Sequence, residues 1–310
     1  MSKPRLLVTA ADLAPKALEL LTEFEVVYAG KAPTAADLLA LCKQHDPTAI
    51  IVRYGAVGPE MMDAAPSLRV ISKHGSGTDT IDKVAAQARG IEVRAAFGAN
   101  SAAVAEQAMA LLLACAKSVV ELNARMHAGF WDKPTHKNIE LSGRTIGIVG
   151  LGAIGQRFAR MCDAFGMKVL GFDPFAQDLP AYIQRAPLET IWRESEAISL
   201  HCPLTPENRN MINAQVLASC KRGLLLVNTA RGGLVDEAAL LEAMKTGQVA
   251  AAGLDSFAVE PMPVPHPFQN VPRLILSPHI GAVTHDAYIS MGVAAASNVL
   301  DSLQKMAAAA

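Results

Sequence analysis

Thr145-Ile-Gly-Ile-Val-Gly-Leu-Gly-Ala-Ile-Gly155, followed by Lys168-Val-Leu-Gly-Phe-Asp173, is the stretch that decides the fold. Residues 145–149 form an apolar strand, and Gly150 makes the tight turn that follows it. Gly152 lets backbone amides approach a pyrophosphate, and Gly155 lets the next helix pack on the strand. That helix begins near Ile154, so the amides around Ala153 and Ile154, and the helix dipole, face the phosphates. Asp173 lies about 20 residues beyond Gly150, at the end of a second strand, where a carboxylate accepts bonds from both ribose hydroxyls. The ligand implied is a dinucleotide. A negative charge at that point repels a 2′-phosphate, and the next residues are Pro174 and Phe175 rather than an arginine, so NAD is favoured over NADP.

The 144 residues ahead of this unit, in a chain of 310, call for two domains. With 51% hydrophobic residues the chain can bury full cores, and a net charge of −1 offers no basic face to nucleic acid. The five cysteines (Cys42, Cys115, Cys162, Cys202, Cys220) form no CxxC, which argues against a disulfide framework and a zinc site and fits a reducing cytoplasm. Met1-Ser-Lys-Pro-Arg5 leads directly into Leu6-Leu-Val8 without a signal peptide. No apolar run has the length of a membrane span. A soluble cytoplasmic protein with no membrane partner and no metal is expected.

Apolar strand segments at Arg5–Thr9, Ala49–Arg53, Arg69–Ser72 and Ile91–Arg94 alternate with helical ones, which predicts an α/β fold with a parallel, doubly wound sheet. A helix from Ser101 to Lys117 carries the chain to the second domain. There the alternation resumes with strands at Ala197–His201, Leu224–Asn228, Ala251–Leu254 and Leu274–Leu276, and a small-residue helix spans Asp286–Met306. Ligands of open α/β sheets bind outside the carboxyl ends of strands. Three such ends carry reactive groups: Arg231 in Asn228-Thr-Ala-Arg-Gly-Gly233, Glu260 in Asp255-Ser-Phe-Ala-Val-Glu-Pro261, and His279 in Leu274-Ile-Leu-Ser-Pro-His-Ile-Gly281.

Taken together, Gly150-Leu-Gly-Ala-Ile-Gly155 with Asp173, His201-Cys-Pro-Leu-Thr205, Asn228-Thr-Ala-Arg-Gly-Gly-Leu-Val-Asp236, Asp255 with Glu260-Pro261, and Ser277-Pro-His-Ile-Gly281 resemble the D-isomer-specific 2-hydroxyacid dehydrogenases. The resemblance spans almost the whole chain. It implies a Rossmann NAD-binding domain, residues 100–284, inserted in a flavodoxin-like substrate domain, residues 1–99 plus 285–310, with the active site in the cleft between domains. It also implies a homodimer built through the nucleotide domain. For the matching positions it implies that Arg231 holds the carboxylate and 2-oxo group of a small 2-hydroxy or 2-oxo acid. His279 is then the acid/base, and Glu260 bonds its other nitrogen, fixes the tautomer and favours the protonated form. Coenzyme contacts are implied for Gly150, Gly152, Ala153, Ile154, Gly155, Asp173, His201, Pro203, Thr229, Ala230, Asp255, His279 and Gly281, Asp255 resembling the residue that bonds the nicotinamide carboxamide. Formate dehydrogenases resemble this family but carry glutamine in place of the glutamate, so Glu260 points to hydroxy-acid chemistry.

The first domain is expected to supply a carboxylate loop, Lys73-His-Gly-Ser-Gly-Thr-Asp79, whose glycines expose amides. His74, Gly75, Ser76 and Gly77 in that loop, with Arg53 and Tyr54 after a neighbouring strand, are candidate substrate residues. Small apolar residues are more usual in the family where His74 and Ser76 stand, which leaves the substrate's side group open. Arg53, Lys73 and His74 suit a second anion such as phosphate, so phosphoglycerate competes with hydroxypyruvate and glyoxylate. The length of 310 residues leaves no room for an extra regulatory domain. A serine hydrolase lacks the G-x-S-x-G elbow here. A non-enzymatic NAD-sensing corepressor is the other alternative; such proteins tend to carry tails for partners, which this chain lacks.

Overall fold

Two parallel sheets organise the chain in a computed structural model that describes residues 3–309; Met1, Ser2 and Ala310, which the N-terminal and C-terminal expectations touch, lie outside the described residues. The chain divides into two compact units, one comprising residues 1–100 and 283–310 and the other residues 101–282.

The first unit runs β1 (Arg5–Val8), α1 (Pro15–Leu18), β2 (Glu25–Tyr28), α2 (Ala35–His45), β3 (Ala49–Val52), α3 (Pro59–Asp63), β4 (Val70–Lys73), α4 (Lys83–Ala88) and β5 (Glu92–Ala95), and is completed by a C-terminal helix, His285–Ala309. Its strand order is β2-β1-β3-β4-β5, the flavodoxin-like order, and every pairing is parallel. Alternate strand residues enter opposite cores because successive side chains point to opposite faces. Leu6, Val8, Ala49 and Ile51 pack with Ala295, Ala296 and Val299 of the C-terminal helix, whereas Leu7, Ile50 and Val52 pack with Leu38 and Cys42 of α2 and with Met61 and Met62 of α3. Local chemistry sets the helix ends. Thr34 and Asp37 form a reciprocal capping box at the start of α2, and Asp46, in the left-handed region, ends it.

The second unit contains α5 (Ser101–Lys117), α6 (Val119–His127), β6 (Thr145–Val149), α7 (Ala153–Ala164), β7 (Lys168–Phe172), β8 (Ile183–Arg185), α8 (Leu188–Glu194), β9 (Ala197–Leu200), α9 (Ala214–Ser219), β10 (Leu224–Asn228), α10 (Glu237–Lys245), β11 (Val249–Leu254) and β12 (Leu274–Leu276). Its strand order is β12-β11-β10-β9-β6-β7-β8, all parallel, which reverses at the β6/β9 boundary as in a dinucleotide-binding Rossmann sheet. One face buries Ile146, Ile148, Leu225 and Val227 against Leu112 of α5 and Phe158 of α7; the other buries Val149, Ile198, Leu224 and Leu226 against Ile191 of α8 and Leu240 of α10. The expected α/β class with two doubly wound parallel sheets holds. Two edge strands, β2 and β8, add to those expected from sequence.

All five cysteines are free, four of them buried. Among the described residues no single helix is long and apolar enough to cross a membrane. Helices α5 and α6 reach that length and composition only as a pair bent by 60°, and α5 buries Ala105, Ala108 and Leu112 in the core.

Two histidines are enclosed by this packing. His74, just beyond β4, lies 5.7 Å from the Tyr288 ring with its Nε2 unpaired, and burial, reinforced by Arg53, lowers its pKa to about 4. His201, just beyond β9, bonds Ser199 Oγ through Nε2 (2.8 Å) and packs on Phe158 at 5.0 Å, and burial lowers its pKa to about 3. Both are neutral in the folded state at pH 7, while an unfolded histidine protonates near about 6.5. The unfolded state therefore binds more protons below that pH, so the stabilising contribution is complete above it and is lost as pH falls toward the folded values. For His74, a shift from 6.5 to about 4 corresponds to about 3 kcal/mol by pH 4. Urea midpoints measured from pH 8 to 4.5 should fall, with the slope between 6.5 and 4.5 shallower in His201→Gln and in His74→Gln; an unaltered slope in both variants would exclude these rings as its source.

Candidate active site

The carboxyl ends of consecutive strands in the second unit gather the functional groups. Across the sheet, β12, β11, β10, β9, β6 and β7 lead into His279, Glu260, Arg231, His201, Gly150 and Asp173. At the β6/β9 switch, Gly150 adopts φ +95°, and a Cβ there would come within 2.6 Å of the His201 and Cys202 backbone. At Gly155 a Cβ would come within 2.0 Å of the Gly150 carbonyl oxygen, so only glycine lets α7 start this close to β6.

This cradle fits a dinucleotide. Helix α7 starts at Ala153 with Gly152 as its N-cap and no side-chain cap bond, so no side chain competes with an anion for its first amides. A Cβ at Gly152 would meet no protein atom within 4 Å, so the protein's own packing does not demand glycine there. Ile154 is half-buried against the core. Asp173 is held by three backbone amides: Leu151 N–H donates to Oδ2 (2.8 Å), and those of Phe175 and Ala176 donate to Oδ1 (2.8 and 3.1 Å). Two carboxylate oxygens offer roughly four lone-pair sites, which leaves capacity for a hydroxyl donor. Arg185 on β8 was not anticipated. Its guanidinium donates to the carbonyls of Asp173 (3.2 Å), Ala176 and Gln177 (3.4 Å), tying down the loop after β7. Thr229 Oγ1 is buried without a partner, an orphan acceptor and donor beside Ala230 on the loop after β10. The His201 ring, in contrast, points into the core toward Ser199 and Phe158, with Nδ1 buried. Pro203 is exposed, and its carbonyl accepts from Asn208 Nδ2 (2.8 Å).

Asn228, a residue that sequence reasoning passed over, shapes the arginine loop. Fully buried, it accepts from Ala230 N–H (3.0 Å) and donates to the Arg231 carbonyl (2.8 Å). Arg231 Nη1 donates to the Ala230 carbonyl at 2.7 Å. Gly232 then presses on the next loop so closely that a Cβ would lie 1.9 Å from the Phe257 carbonyl carbon. Asp255, 2% exposed, accepts from Ser277 Oγ (2.5 Å) and the amides of Ile280 (3.0 Å) and Gly281 (2.8 Å). Gln107 of α5 donates to Ser277 Oγ at 3.1 Å. Asp255 therefore has structural partners in addition to any coenzyme contact.

His279 stands in the left-handed region, φ +52°, with Nδ1 at 2.7 Å from Glu260 Oε2. A carboxylate only accepts, so Nδ1 carries a proton and Nε2 is the nitrogen left to meet a ligand. The other glutamate oxygen accepts from Phe257 N–H at 2.9 Å. The pair opens on a pocket of about 300 Å³ whose walls include Phe257, Met262, Leu276 and Pro278. The arrangement provides a held proton donor, a guanidinium on the adjoining loop and apolar walls.

In the first unit, the carboxyl end of the sheet holds the expected loop after β4. His74 and Gly75 are buried, with Gly75 at φ +144°; Ser76 Oγ donates to Asn100 Oδ1 (2.8 Å), and Gly77 follows half-buried. After β3, Tyr54 is 51% exposed and Arg53 pairs with Asp12. Among the described residues no group of histidine, cysteine or acidic side chains could hold a metal ion.

Residues 109–281 match the family model of the D-isomer specific 2-hydroxyacid dehydrogenase NAD-binding domain. The chain is 41% identical over 244 residues to a hydroxypyruvate reductase of Thermotoga maritima, covering 76% of this chain and 78% of that one. It is 37% identical over 300 residues to a D-3-phosphoglycerate dehydrogenase of Methanocaldococcus jannaschii, covering 95% of this chain but 56% of that relative, so it spans little more than half the latter's length. A solved protein from Thermus thermophilus superposes with a TM-score of 0.89 at 37% identity, covering 97% of each chain. With its Rossmann sheet, glycine turn and fixed acid, the chain belongs to the D-isomer specific 2-hydroxyacid dehydrogenase family and carries that family's NAD-binding domain.

Proposed function

We propose that the protein interconverts a small D-2-hydroxy acid and its 2-oxo acid, with NAD as the redox partner. The observation that carries this reading is the His279–Glu260 pair at 2.7 Å, set beside the Arg231 loop at neighbouring strand ends. NAD, when bound, supplies or accepts the hydride. Arg231 binds the carboxylate and polarises the 2-oxo group through charge-assisted bonds of about 1.5–3 kcal/mol each. In reduction, protonated His279 gives the Nε2 proton to the 2-oxo oxygen; in oxidation neutral Nε2 takes it from the hydroxyl. Glu260 keeps the ring aimed and compensates its positive charge. The first unit's candidate substrate residues are His74, Gly75, Ser76 and Gly77 of the loop after β4, with Arg53 and Tyr54. Names borne by relatives, hydroxypyruvate reductase and phosphoglycerate dehydrogenase, define the substrate range to test.

Purified protein assayed with NADH should reduce at least one of glyoxylate, hydroxypyruvate and 3-phosphohydroxypyruvate. His279→Ala should lower kcat by roughly 10²–10⁴ with NADH binding nearly unchanged. Arg231→Ala should raise KM as well as lower kcat, because it contacts the ground state and the transition state. Glu260→Gln should also be impaired: an amide has one acceptor oxygen for the two donors, Phe257 N–H and His279 Nδ1–H, and leaving one donor facing an NH₂ costs about 1–3 kcal/mol. Wild-type turnover in His279→Ala would end this assignment.

Asp173 motivates a coenzyme preference. NADH should exceed NADPH by at least about tenfold in kcat/KM, equivalent to about 1.4 kcal/mol, and Asp173→Ala should narrow the gap. Equal use of both coenzymes by the unaltered protein would contradict it.

We infer further that the protein is a homodimer paired through its nucleotide unit. Val119, Val120, Met126, Phe130 and Trp131 are each more than half exposed and cluster along α6 and the loop after it, where an apolar patch marks an interface. Sedimentation should give a dimer, and Val120→Asp combined with Trp131→Glu should give a monomer; a monomeric parent protein would refute the inference.

A further inference from the structure

Arg53, whose guanidinium follows a central strand of the first sheet, is already engaged. Its Nη1 donates to the Asp12 carbonyl (3.1 Å) and to Asp12 Oδ1 (2.5 Å), and the Tyr288 hydroxyl donates to that same Oδ1 (3.0 Å). The guanidinium carbon lies 4.8 Å from the Tyr288 ring centroid and 5.5 Å from that of Tyr54, so the cation is flanked by aromatic rings as well as ion-paired. Lys73 Nζ, another nearby cation, donates to the Arg53 carbonyl at 3.2 Å. His74 is neutral above about pH 4. The Arg53 side chain is 18% exposed and that of Asp12 is 68% exposed, so of this ion pair it is the carboxylate that faces solvent.

We propose that Asp12, held by Tyr288, is a specificity-determining residue: by occupying Arg53 and presenting its own charge, it selects 2-oxo acids whose far carbon bears hydrogen or a hydroxyl and rejects those bearing a phosphate. The proposal rests on the dehydrogenase reading above and narrows its substrate class. A dianionic phosphate reaching Arg53 must either expel Asp12 from a two-point contact or sit beside it, and both lower affinity for the phosphorylated substrate alone. Discrimination built on a repulsive group of this kind leaves the substrate without a phosphate untouched. Arg53, Lys73 and His74, which in sequence suit a second anion, form in three dimensions a cluster whose arginine is already neutralised.

The experiment compares kcat/KM for hydroxypyruvate and 3-phosphohydroxypyruvate with NADH in the full chain, in Asp12→Asn and in Tyr288→Phe, together with melting temperatures in inorganic phosphate. The unaltered protein should favour hydroxypyruvate by at least about tenfold, and Asp12→Asn should narrow that ratio about tenfold, chiefly through the KM of the phosphorylated acid. Tyr288→Phe, which removes one of the bonds holding Asp12, should narrow it by a smaller factor and keeps the test open if the Asn variant folds poorly. Inorganic phosphate at about 20 mM should raise the melting temperature of Asp12→Asn and not that of the parent. Equal use of both acids by the parent, parallel changes for both acids in the variants, or no phosphate stabilisation of Asp12→Asn would each overturn the proposal. Failure of the parent to reduce any 2-oxo acid would instead remove the dehydrogenase reading, while the phosphate melts still decide whether Asp12 blocks an anion at Arg53.

Discussion

A single buried carboxylate supports the reactive half of the second unit. Asp255 gathers a hydroxyl and two amides from the loop that carries His279, and its own amide donates to the Asn228 carbonyl at the end of β10. Bonds to a charged acceptor contribute roughly 1.5–3 kcal/mol each, and a carboxyl group this deep is tolerated only because its lone pairs are met. The loop can therefore hold His279 in the left-handed region, where a residue with a Cβ is otherwise disfavoured by roughly 1–2 kcal/mol. Bonds from its loop to Asp255 and its own bond to Glu260 together hold the imidazole.

Both units obey one rule on two scales. In a parallel sheet every strand delivers its loop to the same edge, so residues far apart in sequence become neighbours without any long excursion of the chain. In the second unit this edge carries the glycine turn, Asp173, Arg231, Glu260 and His279. In the first it carries Asp12, Arg53 and the loop from His74 to Gly77. Glycines serve the same end where backbones must touch: Gly155 against the Gly150 carbonyl, and Gly232 against Phe257.

Much of this was legible in the sequence because the informative residues are local. Strand, glycine turn, helix and acid follow one another from Thr145 to Asp173, and long apolar stretches such as Ser101–Lys117 announce their helix directly. The missed pieces depend on tertiary partners. Strands β2 and β8 are edge strands: β8, Ile-Gln-Arg, lacks the apolar run that marks a central parallel strand, and β2, Glu-Val-Val-Tyr, is short and buries no side chain fully. With β8 unseen, Arg185 could not be placed beside the loop after Asp173, although it is only twelve residues away. Asp12 looks like an ordinary loop polar, and Asn228 like the end of a strand, until their partners appear. His201 illustrates the reverse: its motif lies within the matched NAD-binding domain, and its ring packs on Phe158 in the core.

The C-terminal helix has a consequence for the order in which the chain matures. Its Ala295, Ala296 and Val299 cover one face of the sheet whose strands lie in the first hundred residues, while residues 101–282 form the other unit entirely from contiguous chain. During synthesis this face has only the cover that Leu13, Ala17, Leu21 and Phe24 provide until the C-terminal helix has left the ribosome. The unit made second can close its cores on its own residues beforehand. The usual sequence, in which domains fold in order of synthesis, is inverted here. The first unit therefore completes the core around Leu6, Val8, Ile51 and Val70 last, when Ala295, Ala296 and Val299 arrive.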